Sequence, residues 1–320
     1  MYYAYCMIFE KNSTENKHDM KDILKFSSHS DGLGISVMNV CPEGEVKAVL
    51  QIAHGMCGCK ERFLPFMECM AENGVACIAN DHRGHGESVL SDDDLGYMYE
   101  GRSKALVEDM REVTWMAEER YPGRPIYMLG HSMGSLAARA YLKRYDSALA
   151  GLLICGSPAY NPLSGFGKEM TGLMEELGMG HMRPRFIHKL MSAELNHEFK
   201  DEGPQAWTCS DPEVRQAFSS DPKTNFRFTV NGSHCLMELM QEAYSRDGWH
   251  VTDPDLPVIF MSGEEDPCMG GASGLDKAVC ALREAGYRNV QVKTYPAMRH
   301  EILNEIGKER VWQDILSFIR

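Results

Sequence analysis

Apolar residues in this chain gather in short dense runs, and between those runs they recur every three or four positions. Val46–Ala53, Val75–Asn80, Ile126–Leu129 and Leu149–Cys155 are mostly unbroken by polar alternation, the pattern of strands covered on both faces. Earlier, Ile23–Ser28 and Ile35–Val40 flank Ser30-Asp31-Gly32, a hairpin signal. Helical periods fall between the runs. Arg62–Asn73 is stopped by Asn73-Gly74, and Lys104–Arg120 by Tyr121-Pro122-Gly123, while a third helical pattern runs from Ser135 towards Tyr145. Strand and helix alternating in this way predict a parallel sheet with helices on both faces.

The alternation stops at about Ala159. From there to Val230 the pattern is of helical pieces, with no convincing strand. Strands resume at Pro257–Ser262 and Val290–Tyr295, separated by a helix over Ala272–Ala285, and a last helix is predicted over Ile302–Ile319. An all-helical stretch between strands of one sheet is an excursion from the strand ends. The expected architecture is therefore α/β: a mostly parallel sheet built from residues 1–157 and 231–320, with a helical segment, 158–230, inserted after the sixth strand. Ligands of open parallel sheets bind at the carboxyl ends of the strands, so that segment should cover the site. Its methionines, Met170, Met174, Met179, Met182 and Met191, suit either the lining of an irregular apolar pocket or ordinary helix packing. Residues 1–20 carry no clear pattern and are expected to be loose.

Composition narrows the partners. A formal net charge of −13 disfavours nucleic acid or an anionic membrane as the main partner, but not an uncharged lipid. The eleven cysteines are odd in number and lie among apolar neighbours, as small buried residues in a reducing compartment do. Cys57-Gly58-Cys59 is too closely spaced for a metal pair and no second Cys/His pair stands at zinc spacing, so no metal site is expected. The N-terminus lacks a basic lead, and no stretch approaches the roughly 20 apolar residues of a spanning helix. A cytoplasmic protein without stable membrane insertion is the expectation, and a homodimer is compatible with it.

The candidate chemistry centres on Gly130-His131-Ser132-Met133-Gly134, placed where a strand gives way to a helix. A serine spaced G-x-S-x-G at such a junction is a nucleophile elbow. Glycines leave room for a tight turn, and the helix N-terminus behind Ser132 favours developing negative charge. A serine needs a base, and the base an orienting carboxylate, arriving in the order Ser, acid, His. Two strand ends supply them: Gly263-Glu264-Glu265-Asp266-Pro267 and Pro296-Ala297-Met298-Arg299-His300. His300 is the candidate base. Asp266, Glu265 and Glu264 all remain candidates for the acid. The backbone N–H of Met133 and, after His54-Gly55, that of Met56 are the candidate donors to a tetrahedral oxyanion. His54 is expected to be structural, and Asp81–Ser88 a hydrogen-bonded turn bracing the loop at Gly55.

Taken together, HGM at 54–56, DHRGHGES at 81–88, GHSMG at 130–134, GEEDP at 263–267 and YPAMRHEILNE at 295–305 resemble α/β-hydrolases of the monoacylglycerol lipase and lysophospholipase type. DPKTNFRFTVNG at 221–232 is similar to that family's cap. The resemblance covers about residues 22–320. It implies the α/β-hydrolase fold with a helical cap, and hydrolysis of a carboxylic ester through an acyl-enzyme without metal or organic cofactor. It puts the nucleophile on Ser132, the acid on Asp266, the base on His300 and the oxyanion donors on Met56 and Met133.

Overall fold

The computed structural model describes residues 21–192 and 195–319; the N-terminal stretch expected to be loose lies outside them. A hairpin opens the fold. Its strands, β1 (Lys21–Ser27) and β2 (Gly34–Val40), pair antiparallel, and β2 pairs antiparallel with a later strand. β3 (Ala48–Ala53) leads through a 3₁₀ turn at Lys60–Phe63 into α1 (Leu64–Glu72). β4 (Val75–Asn80), α2 (Arg102–Arg120), β5 (Ile126–His131), α3 (Met133–Tyr145) and β6 (Gly151–Cys155) follow.

The helical excursion comes next, with α4 (Ser164–Glu176), α5 (Arg185–Ser192) and α6 (Pro212–Ser220). α7 (Val230–Tyr244) then packs against α2, α3 and α4. The chain closes with β7 (Val258–Gly263), α8 (Gly271–Ala285), β8 (Val290–Tyr295) and α9 (Glu309–Phe318). The eight strands form one sheet in the order β1-β2-β4-β3-β5-β6-β7-β8, parallel from β4 to β8. Two apolar layers, one on each face, bury strands β3 to β6 completely but for His131, as their unbroken runs require. This is the α/β-hydrolase fold with its helical cap.

Three elements depart from the pattern-based expectation. The last helix spans only Glu309–Phe318, because Gly307 sits at φ +77° and the buried Glu305 carboxylate caps the loop before it, accepting from the N–H groups of Arg299 and Ile306. α7 is not singled out by periodicity alone. Thr229 Oγ1 caps it by accepting the Gly232 N–H at 3.1 Å. The cap methionines also point elsewhere than a pocket. α4 packs on α7 through its small residues, with Gly167 against Met237, while Leu173 and Leu177 face outward. Neither cavity beside Ser132 is lined by Met170, Met174, Met179 or Met182, and the side chain of Met191 lies outside the described part. No described helix is long and apolar enough to cross a membrane.

Candidate active site

Ser132 stands between β5 and α3 at φ 54°, ψ −119°, a conformation that costs a non-glycine residue on the order of 1–3 kcal/mol. Neighbouring elements hold it there. A Cβ on Gly134 would lie 2.1 Å from the Ala53 carbonyl, and one on Gly130 would lie 2.5 Å from the Gly134 carbonyl. Both glycines are thus steric requirements of the crossing between β3, β5 and α3. Gly55 lies against His131 and Ser132. The Ser132 N–H is anchored on the Cys155 carbonyl at 3.0 Å.

The loops after β7 and β8 meet at the same edge. Glu264 N–H donates to the Tyr295 carbonyl and Glu265 N–H to the Met298 carbonyl, so the acid-bearing loop is zipped to the histidine-bearing one. Of the three acids, Asp266 faces His300, with Oδ2 2.9 Å from Nδ1. Its other oxygen accepts the Cys268 N–H at 2.8 Å. Glu264 is taken up by the Thr294 hydroxyl, and Glu265 lies 3.8 Å from Arg299 Nε. Burial would lower the basicity of His300, but the Asp266 carboxylate, helped by Glu301, outweighs it and holds the imidazole above the ordinary histidine value.

Ser132, His300 and Met56 share the wall of one cavity. The Ser132 hydroxyl makes no hydrogen bond to His300 among the described residues, a looseness common in unliganded sites. The N–H groups of Met56 and Met133 have no acceptor among the described residues, and both residues line a cavity together with Ser132.

Behind the Met56 loop lies a cluster of buried imidazoles. His54 Nδ1 bonds the Gly55 carbonyl, and its Nε2 accepts the His82 N–H. His85 Nε2 accepts the Cys57 N–H. Burial pushes His54 and His85 down to about 3, so both are neutral struts. Arg83, fully buried, ties the same turn to Asp109 and Asp31. Asp81 accepts from Lys60 Nζ at 2.6 Å and from the Glu87 N–H at 2.8 Å.

Sequence reasoning missed three site residues. Glu301 pairs with Arg62 at the wall of the cavity, and Trp207 from the cap lies against His300 with ring centroids 4.9 Å apart. Glu301 adjoins His300 in the chain, a signal that was there to read; the other two are brought in over long sequence distances. Asp266, Cys268 and His300 put an oxygen, a sulfur and a nitrogen within 4.8 Å of one another. Two of the three are already bonded to each other, and burial holds the Cys268 thiol protonated, well above its ordinary value.

With this geometry in hand, the chain can be set beside known proteins. A model of the Hydrolase_4 family, described as serine aminopeptidase, S33, matches residues 44–307. The chain belongs to that family. A monoacylglycerol lipase of Mycolicibacterium smegmatis is 26% identical over 282 residues, covering 87% of this chain and 90% of that protein. A proline iminopeptidase of Thermoplasma volcanium is 24% identical over 245 residues, covering 71% and 76%. A thermostable carboxyl esterase from Bacillus coagulans, solved with glycerol, superposes with a TM-score of 0.83 at 23% identity, over 94% of this chain and 99% of that one. At that identity the superposition establishes the fold.

Proposed function

We propose that this S33-family hydrolase cleaves carboxylic esters of single-chain lipids, monoacylglycerols or lysophospholipids, through an acyl-enzyme on Ser132. Ser132 Oγ attacks the acyl carbonyl while His300 Nε2 takes its proton, and Asp266 orients the imidazole and stabilises its charged form. The N–H groups of Met56 and Met133 receive the oxyanion. The C–O bond to the alcohol then breaks, the proton passes from His300 to the leaving oxygen, and water repeats the sequence to release the acid. The observation that carries this reading is the 2.9 Å His300–Asp266 bond in the site of a strained serine, where the N–H groups of Met56 and Met133 have no acceptor among the described residues.

The lipid assignment rests on a second cavity of about 620 Å³ at Ser132, walled by Leu136, Leu236, Met237 and Met240, and on the likeness to a monoacylglycerol lipase. In this reading residues 158–230 are the cap over a core of 1–157 and 231–320, and the enzyme works in the cytoplasm without metal or organic cofactor. The likeness to a proline iminopeptidase supports a second reading, an amidase or peptidase on the same machinery. Turnover of glycerol monoesters from C4 to C16, run against p-nitrophenyl acetate and a prolyl arylamide, separates them. The lipid reading expects the highest kcat/KM on medium or long acyl chains. A monotonic fall beyond short acyl groups would replace it with a short-chain esterase, and faster arylamide cleavage with the peptidase.

A further inference from the structure

Two cavities meet at Ser132, and their described linings share only Ser132, Met56 and Trp207. One, of about 620 Å³, is walled by Leu136, Leu236, Met237 and Met240. The other, of about 350 Å³, contains His300 with Arg62, Glu301 and Asn304, and is walled also by Phe63, Phe218 and Phe226. Nucleophile and oxyanion loop must touch both halves of an ester, whichever way it lies. Trp207 has no such obligation, so its place between the compartments calls for a reason.

Chemistry fixes which half goes where. His300 must deliver its proton to the leaving oxygen, so the alcohol has to sit on the side that His300 lines. The acyl chain is left with the larger side. Trp207 stands at the boundary with its ring against the imidazole.

The cap loop that carries Trp207 is fastened to the histidine loop. Glu301 N–H donates to the Thr208 carbonyl at 2.8 Å, Arg299 Nη1 to the Ala206 carbonyl at 2.7 Å, and Ser210 N–H to Glu305 at 2.8 Å. From the cap side, Asn196 accepts the Trp207 N–H at 3.1 Å and donates to the Gly203 carbonyl at 3.0 Å. Gln205, two residues before the tryptophan, is held at φ +58°, a conformation the surrounding bonds must impose. A loop so tied does not place a large aromatic ring on the imidazole by accident.

We propose that Trp207 is the partition of this site: it sorts acyl chain from alcohol and, through its face on His300, positions the base. The proposal rests on the ester-hydrolase reading above. The titratable and charged groups facing His300 are Asp266 and Cys268 from the β7 loop, His131 from the elbow, and Glu301 with its partner Arg62. With those unchanged, removal of Trp207 lets water reach the imidazole. Desolvation, which opposes the charged ring, then weakens while Asp266 still favours it.

The test uses the full chain and its Trp207→Ala, Trp207→Phe and Leu236→Trp variants. Each is assayed on glycerol esters of C4 to C16 acids and on octanoate esters of methanol, butanol, hexanol and glycerol. Trp207→Ala is expected to flatten both series, with ratios between best and worst substrate falling about tenfold. It should also move the acid limb of kcat/KM to higher pH, which a purely structural role would not do. Trp207→Phe should keep most of the sorting. Leu236→Trp should cut the C12-to-C4 ratio about tenfold and leave the ranking of alcohols as it was.

Wild-type ratios and an unmoved acid limb in a folded Trp207→Ala would overturn the proposal. Should that variant not fold, a Leu236→Trp enzyme whose alcohol ranking shifts along with its acyl ranking overturns it instead, since the compartments would then not be separate. Labelling of Ser132 by a fluorophosphonate probe in wild type keeps the two claims apart. Its absence would remove the hydrolase reading itself, whereas labelling with unsorted substrates removes only the partition.

Discussion

Acid should dismantle this protein through the imidazoles behind the oxyanion loop. His54, His82 and His85 are each no more than 1% exposed. Burial holds His54 and His85 at about 3, so both stay neutral in the folded state at pH 5, and it pushes His82 well below the ordinary value in the same direction. In the unfolded chain they titrate near 6.5. The depressed groups therefore stabilise the fold fully only above the unfolded value, and that contribution is lost as pH falls. At pH 5 His54 and His85 each cost RT ln(1 + 10^1.5), about 2 kcal/mol, and together about 4 kcal/mol, with His82 acting in the same direction. That is a large part of the 5–15 kcal/mol typical of a folded domain. His300, raised by Asp266, works the other way, since its contribution is fully present below the unfolded value and fades as pH rises.

His82 isolates the effect, because neither of its ring nitrogens has a hydrogen-bond partner among the described residues. His82→Leu keeps roughly the volume and removes one titration. Urea unfolding at pH 7.5 and 5.0, followed by tryptophan fluorescence, should show a fall in stability for the wild type and a fall smaller by at most about 2 kcal/mol for the variant. Equal drops in the two proteins, or a wild-type drop under 1 kcal/mol, would refute the assignment of neutral buried imidazoles.

Other expectations are equally direct. Asp266→Asn should lower kcat by about 10⁴ while Glu265→Gln stays near wild type, and steady-state ester hydrolysis distinguishes them. Gly134→Ala forces a methyl against the Ala53 carbonyl and should cost at least about 10² in kcat through displacement of Ser132, read together with a lowered melting temperature. Glu301→Gln should move the acid limb of kcat/KM to lower pH, because Glu301 helps keep His300 protonated, while its amide oxygen can still accept from Arg62.

Much of the fold was legible because a parallel sheet buried on both faces writes itself as apolar runs. Val75–Asn80 and Val290–Tyr295 were readable to the residue, and the G-x-S-x-G spacing carried the steric demand of two close backbone approaches. What escaped depended on partners far along the chain. The end of the molecule reads as one helix until the Glu305 carboxylate is seen capping Arg299 and Ile306, and α7 goes unread until Thr229 is seen capping it. The acid could not be ranked among Glu264, Glu265 and Asp266 from their spacing, because only the zippered loops decide which carboxylate faces the imidazole. Trp207 and Arg62 enter the site from the cap and from the turn before α1, and no local pattern announces either.

The central claim, that Ser132 is the group made reactive here, is tested most directly by intact-mass and peptide mapping after brief exposure to a fluorophosphonate, alongside ester turnover by Ser132→Ala. The account predicts one adduct, on Ser132, forming faster as pH rises through the His300 titration, and a loss on the order of 10⁶ in kcat for the variant. An adduct on another residue, or undiminished turnover by Ser132→Ala, would contradict it.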